Sequence, residues 1–166
     1  MPVQQLIQII AELADAHREL LELAEQKRVA LVRNELKDIM AIVNKETKLS
    51  KRVADLQQAQ TNAVNEFFRQ KGFQPTREIT ITELSRMITD IEAKQALIDR
   101  RDRLVELIAE LKQRNDLNQQ LIKQSLDFVN YSIDVIAGPP EDEMTYQRPA
   151  QQSPTTGRTG VFDWKA

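Results

Sequence analysis

Apolar and polar positions alternate with a helical period along most of this chain. The longest such run, Leu97 to Ala137, has no internal breaker and ends at Gly138-Pro139-Pro140. Leu104, Ile108, Leu111, Asn115, Asn118, Ile122, Ser125, Val129, Ser132 and Ile136 follow one another at alternating spacings of four and three. That is a heptad seam, the pattern of one helix facing another. A second apolar row, Leu107, Leu117, Leu121, Phe128, Ile133 and Val135, flanks it, so this helix is expected to meet at least two partners. At about 1.5 Å per residue the run would span roughly 60 Å, which predicts an elongated molecule. Asn115 and Asn118 are polar positions of the seam, the kind that fixes register and helix number. The small Ser125 and Ser132, beside Leu121, Phe128 and Val129, would leave a shallow groove for another helix.

Two further seams precede the long run. In the segment from about Val3 to Val32, Leu6, Ile10, Leu13, His17, Leu20, Ala24, Lys27 and Leu31 keep the same alternation. The phase then slips, because Leu36, Ile39 and Ile42 do not continue that stripe. A break is predicted at Arg33-Asn34-Glu35, with Asn34 as N-cap of the next helix and Glu35 and Asp38 suited to its positive end. A tight hairpin is favoured there, and a bent continuous helix is the alternative. From Glu35 to Gln70 the seam reads Ile39, Ile42, Glu46, Leu49, Val53, Leu56, Gln60, Ala63 and Phe67. Lys71-Gly72 is a C-terminal stop, and Phe67, Phe68 and Phe73 are expected to plug that end of the bundle.

The stretch 73–80 is a connection. Thr80 and Glu83 form a capping box, and the Ile-Thr alternation at 79–82 has no second strand to pair with. Leu84, Met87, Ile88 and Ile91 then make a short amphipathic helix that bends into the long one or continues as it. After Gly138 the chain is rich in Pro, Gly, Gln, Ser and Thr, the composition of a disordered tail. It ends in Val161-Phe162-Asp163-Trp164-Lys165-Ala166, which holds the only tryptophan. Such an end is either read by a partner or folds back on the bundle. The pattern as a whole predicts an all-α chain, an elongated antiparallel bundle or coiled coil of three long helices and one short one over 1–137, with a flexible tail over 138–166.

Composition sharpens this picture. An apolar fraction of 41% suffices for a core, while 5% aromatic residues and four glycines in 166 residues suit long helices rather than sheets. The 23 basic and 25 acidic residues are interspersed, so no strong field favours nucleic acid or anionic lipid. The basic cluster Arg100, Arg101 and Arg103 has Asp99, Asp102 and Glu106 beside it and no aromatic interleaving, which predicts local ion pairs on a solvated face. The absence of cysteine excludes disulfides and thiolate chemistry and fits a reducing compartment. The first residues lack the basic lead-in and continuous apolar block of a signal peptide or membrane span, which predicts a cytosolic protein without membrane insertion.

Candidate chemistry is sparse. The only histidine, His17, lies on the first seam with no Glu-x-x-His motif anywhere, so a packing role is expected rather than a metal or catalytic one. No glycine-rich phosphate loop, no Gly-x-Ser-x-Gly elbow and no metal-ligand cluster occurs. The carboxylates are scattered among Lys and Arg, and a slim bundle offers no cleft in which to set their pKa values apart. The expectation is a protein without catalytic residues, metal or cofactor that works through helix faces and a tail.

The order of parts, the helix turn at Asn34, a charged second helix, and a last helix with Asn115, Asn118, Leu121 and Ile122 before a glycine stop resembles the FlgN family. Tyr146 and the terminal Phe162-Asp163-x-Lys165-Ala166 extend the resemblance, particularly to members from Gram-positive bacteria. It implies a non-catalytic cytosolic chaperone of flagellar type III secretion that covers the C-terminal helical segments of hook-filament junction proteins of the FlgK and FlgL types. Leu121, Ile122, Phe128, Val129, Ile133 and Ile136 are the positions expected to contact the client. Tyr146 matches a tail tyrosine associated in the family with docking to the export gate component FlhA. The family's following glycine is Gln147 here, so Phe162 and Trp164 are further candidates for that role. Such a chaperone is expected to be monomeric or weakly associated when free; a scaffold coiled coil whose seam is filled by a second copy is the competing reading.

Overall fold

The computed structural model describes residues 2–138. Among the described residues there are four α-helices and no strand: α1 (Pro2–Arg33), α2 (Leu36–Gln70), α3 (Ile81–Ser85) and α4 (Ile91–Ala137). The chain is thus all-α, with three long helices and a short one, as its periodicity predicts. It divides into two units, Met1–Asp127 and Phe128–Ala166.

Within the first unit α1 and α2 form an antiparallel hairpin and pack closest of all the elements. Lys27 pairs with Glu46 and Glu19 with Arg52, so position falls along one helix as it rises along the other. The turn differs from the expected one. Asn34 is not the N-cap of α2; it closes α1 with φ 55°. Its N–H donates to the Leu31 carbonyl at 3.3 Å and that of Glu35 to Ala30 at 3.0 Å, which is a Schellman closure. Asparagine tolerates the left-handed region better than other branched residues, so its backbone, rather than its side chain, sets the turn. Glu35 then occupies the N-cap of α2 without a side-chain cap hydrogen bond.

The hairpin holds two apolar clusters. Leu6, Ile9, Ile10 and Leu13 meet Ala63, Val64, Phe67 and Phe68 at one end, and Leu23 and Ala30 meet Ile42 at the other. The polar positions of the two seams are matched to one another. Lys27 Nζ donates to Glu46 Oε2 at 2.6 Å with both side chains largely covered, so neither charge is left alone in the interface. His17 is buried and its Nδ1 donates to the Leu13 carbonyl at 2.7 Å, the packing role expected of it.

At the far end of α2, Gly72 takes φ 81°, and the Gly72 and Phe73 amides donate to Arg69 and Phe68 in a second Schellman closure. Phe67 and Phe68 are buried edge to face, ring centroids 5.6 Å apart. Phe73 departs from the expected plug: it lies beyond the reversal at Gly72 and is 56% exposed. Thr80 and Glu83 do form the capping box. Arg77 adds a 2.6 Å ion pair to Glu83, and that guanidinium, with the Thr80 amide, holds the Glu83 carboxyl far below its ordinary range, at about 2. α3 does not run into α4. Asp90 starts α4 afresh, its Oδ1 accepting from the Glu92 and Ala93 amides at 3.0 and 3.3 Å. The buried Leu84, Ile88, Ala93 and Leu97 tie this corner to the first cluster of the hairpin.

Because Leu97 joins Leu6 and Ile10 while Asn118 reaches Ala24, α4 runs parallel to α1. In the arginine cluster Arg101 pairs with the adjacent Asp102 and Arg103 with Glu106, while Arg101 also donates to the Thr82 hydroxyl of α3.

Candidate functional site

The seam predicted on α4 is half right. Leu104, Leu111, Asn118 and Ser125 face inward, one per heptad. The alternate members do not: Ile108 is 45% exposed whereas Leu107 is 2%. The covered row is Leu104, Leu107, Leu111, Arg114, Asn118, Leu121 and Ser125, so Leu107 and Leu121, assigned to the flanking row, belong to the core-facing one. Both rows satisfy a four-three alternation, and only the placement of α1 and α2 selects between them.

Asn118 is the anchor of this row. It is buried, and its Nδ2 donates to the Ala24 carbonyl of α1 at 2.9 Å. A hydrogen bond from a seam asparagine to a neighbouring backbone fixes the axial position of α4 against α1, the register role expected of it. Arg114 gives a second tie, to Glu25 at 2.9 Å. The Arg28 guanidinium chiefly, with Arg114 assisting, holds the Glu25 carboxyl below its ordinary value. Asn115 takes a different place from its pair-mate, exposed on a shallow groove of about 310 Å³ lined also by Leu20, Lys27, Glu46, Leu111 and Ile122.

The second unit carries the last turns of α4, and their apolar residues lie open. Phe128 is 67% and Ile136 87% exposed, and Val129, Tyr131, Ile133 and Val135 are exposed as well. Ser132 Oγ donates to the Phe128 carbonyl at 2.9 Å, so the hydroxyl is already satisfied. α4 ends at Ala137, followed by Gly138 at φ 76°.

Of the six positions expected to contact a client, Ile122, Phe128, Val129, Ile133 and Ile136 are exposed, while Leu121 is half-buried in the core-facing row. Tyr131 in the second unit and Leu126 at the end of the first are exposed too, and neither was among the expected positions. Sequence reasoning also passed over Leu36, Met40 and Val43, exposed at i, i+4 and i+7 at the start of α2; that spacing was the available signal. Tyr146, Phe162 and Trp164 lie outside the described residues. Among the described residues no group of His, Asp and Glu is placed to hold a metal, and no helix is long and apolar enough to cross a membrane.

An all-α hairpin, a third long helix, α4, pinned by an asparagine and an open apolar end are the context for the comparison with known families. A family profile described as "FlgN protein" matches residues 1–154. The chain belongs to the FlgN family. FlgN proteins are export chaperones of flagellar assembly, and that general role is the role of this chain. It is also similar to the "Uncharacterized protein YvyG" of Bacillus subtilis (strain 168), 25% identical over 167 residues that span 100% of both chains. No solved structure matches this FlgN-family chain.

Proposed function

We propose that this FlgN-family chain is a cytosolic chaperone that binds the C-terminal helical segments of hook-filament junction proteins of the FlgK and FlgL types, prevents their premature association and delivers them to the export gate. The observation that carries the reading is the uncovered apolar surface on the last turns of α4, Phe128, Val129, Ile133 and Ile136 above all. Segments destined to be buried in an assembled filament are amphipathic helices, and a helix laid on such a face buries its own apolar side without new charge. Several Leu or Ile side chains would be covered, each worth about 1.5–3 kcal/mol before the cost of ordering is subtracted. Delivery falls to the segment after Gly138, with Tyr146, Phe162 and Trp164 as the residues that dock on FlhA.

Calorimetric titration of the purified chain with FlgK-type and FlgL-type proteins of the same organism tests this. Saturable binding with a negative heat-capacity change is expected. Phe128→Asp should abolish binding with helix content unchanged. Removal of residues 138–166 should leave client binding intact and block secretion. A well-folded sample that binds neither protein and sediments as a stable dimer contradicts the reading in favour of a scaffold coiled coil.

A further inference from the structure

We propose that the stretch of α4 from Leu111 to Asp127 is a releasable arm, which lifts off the α1–α2 hairpin while the start of the helix stays docked, with Asn118 as its catch. The proposal needs only the packing of the first unit and does not depend on which partner the chain binds.

Along the hairpin α4 is held in two different ways. Near its start the hold is apolar. Ala93 and Leu97 are buried in the first cluster, Leu104 packs against it, and Leu107 is 2% exposed. Beyond Leu107 no apolar residue of α4 is buried among the described residues. Leu111 and Leu121 are half-buried only, and the second cluster, Leu23, Ala30 and Ile42 with Ile39 and Leu49, closes within the hairpin without α4. The interface is also split there by the groove of about 310 Å³, with Leu20 of α1 and Ser50 of α2 across from Leu111 and Asn115. Atoms facing such a gap lose the dispersion contacts that would otherwise hold the helix. What remains is polar: the bond from Asn118 to the Ala24 carbonyl, and the Arg114–Glu25 pair, 42% exposed at both ends and therefore weak. A segment with few buried apolar contacts, tied by a hydrogen bond that water can replace, opens at lower cost than the whole fold.

α4 has no Gly or Pro between residues 91 and 137, so it opens by tilting on its anchored end rather than by kinking. Asn118 lies about 32 Å along the axis from Leu97, so a tilt of roughly 10° about Leu97 lifts it by about 5 Å, beyond hydrogen-bonding reach. Leu107, nearer the fulcrum, moves half as far. The motion uncovers Leu20 and Ala24 on α1 and Leu111 on α4 while the first cluster stays closed.

The test exploits the absence of native cysteine in the full chain. Single variants Ala24→Cys, Ala63→Cys and Ala93→Cys place a thiol under the arm, inside the hairpin and at the anchored start of α4, all at buried positions. Labelling by a thiol-reactive disulfide is followed against urea. Ala24→Cys should label about tenfold faster than the other two or more, with a rate nearly flat in urea, because its opening exposes little surface. The other two should label only through global unfolding, with a steep urea dependence. Adding Asn118→Ala to the Ala24→Cys chain should speed labelling by about two- to tenfold, the worth of one net hydrogen bond. Leu20→Cys, on the same side of the groove, is the second probe if Ala24→Cys lowers helix content. A thiol under the arm that labels at the rate and urea dependence of Ala63→Cys overturns the proposal. Ala93→Cys labelling as fast and as flat as Ala24→Cys overturns the anchored end, and no effect of Asn118→Ala overturns the catch.

Discussion

Replacing Phe128 by alanine separates a binding face from a core. The side chain is 67% exposed in the free chain, so about two-thirds of its burial is still to be gained when a client covers it. Full burial of a phenylalanine is worth about 1.5–3 kcal/mol, which leaves about 1–2 kcal/mol at stake in the complex. At 1.4 kcal/mol per decade the dissociation constant should rise by about 5- to 30-fold. Stability should hardly change, because exposed substitutions commonly stay within about 0.5 kcal/mol. Leu107→Ala is the counterpart. Leu107 is 2% exposed, and truncating a buried leucine costs about 2–5 kcal/mol of stability. Calorimetry for affinity and urea denaturation for stability, on both variants, give a two-by-two comparison. A Phe128→Ala chain that binds as the parent does, or one that loses as much stability as Leu107→Ala, refutes the assignment of this residue to an open face.

Further predictions concern what holds α4 and the hairpin in place. Asn118→Ala should lower stability by about 0.5–1.5 kcal/mol through loss of its bond to the Ala24 carbonyl, read from the urea midpoint; no change would remove the register role. Lys27→Met alone should destabilise by stranding Glu46 in the interface, and adding Glu46→Leu should recover most of the loss; two additive penalties in this cycle would contradict the pairing. Glu83 has a depressed folded-state pKa, so its cap stabilises α3 fully above the ordinary carboxylate value of 4.5, and that contribution is lost as pH falls towards about 2. The amide resonances of Thr80 and Glu83 in the folded chain should therefore titrate with a midpoint at about 2, and a transition centred at 4.5 would show that the Arg77 pair does not form.

Much of the fold is legible in the sequence because the α1–α2 interface is narrow and regular. Every position of the seam read along α2, from Ile39 through Glu46 and Gln60 to Phe67, faces inward. Lys27 and Glu46 could be placed on their seams, but their pairing required both helices. α4 was harder, since Leu107–Ile108 and Leu121–Ile122 are adjacent apolar pairs that fit either of two neighbouring stripes. Periodicity fixes the spacing of a stripe and leaves its absolute phase to the neighbours. Asn34 was misplaced for a local reason: N-cap and left-handed C-terminal positions both favour asparagine, and one residue of shift decides between them. The open face was legible as an excess of apolar surface on α4. Which of those residues remain uncovered, Phe128 and Ile136 but not Leu107, is a property of packing.

The most direct test of the central claim is amide hydrogen exchange of the chaperone itself, with and without a saturating FlgK-type or FlgL-type junction protein. The account predicts that exchange over residues 126–137 is faster in the free chain than over the covered part of α4, and slows on binding more than anywhere else in residues 2–138. Binding that leaves 126–137 unchanged while protecting another helix face, such as Leu36–Val43 at the start of α2, would contradict it.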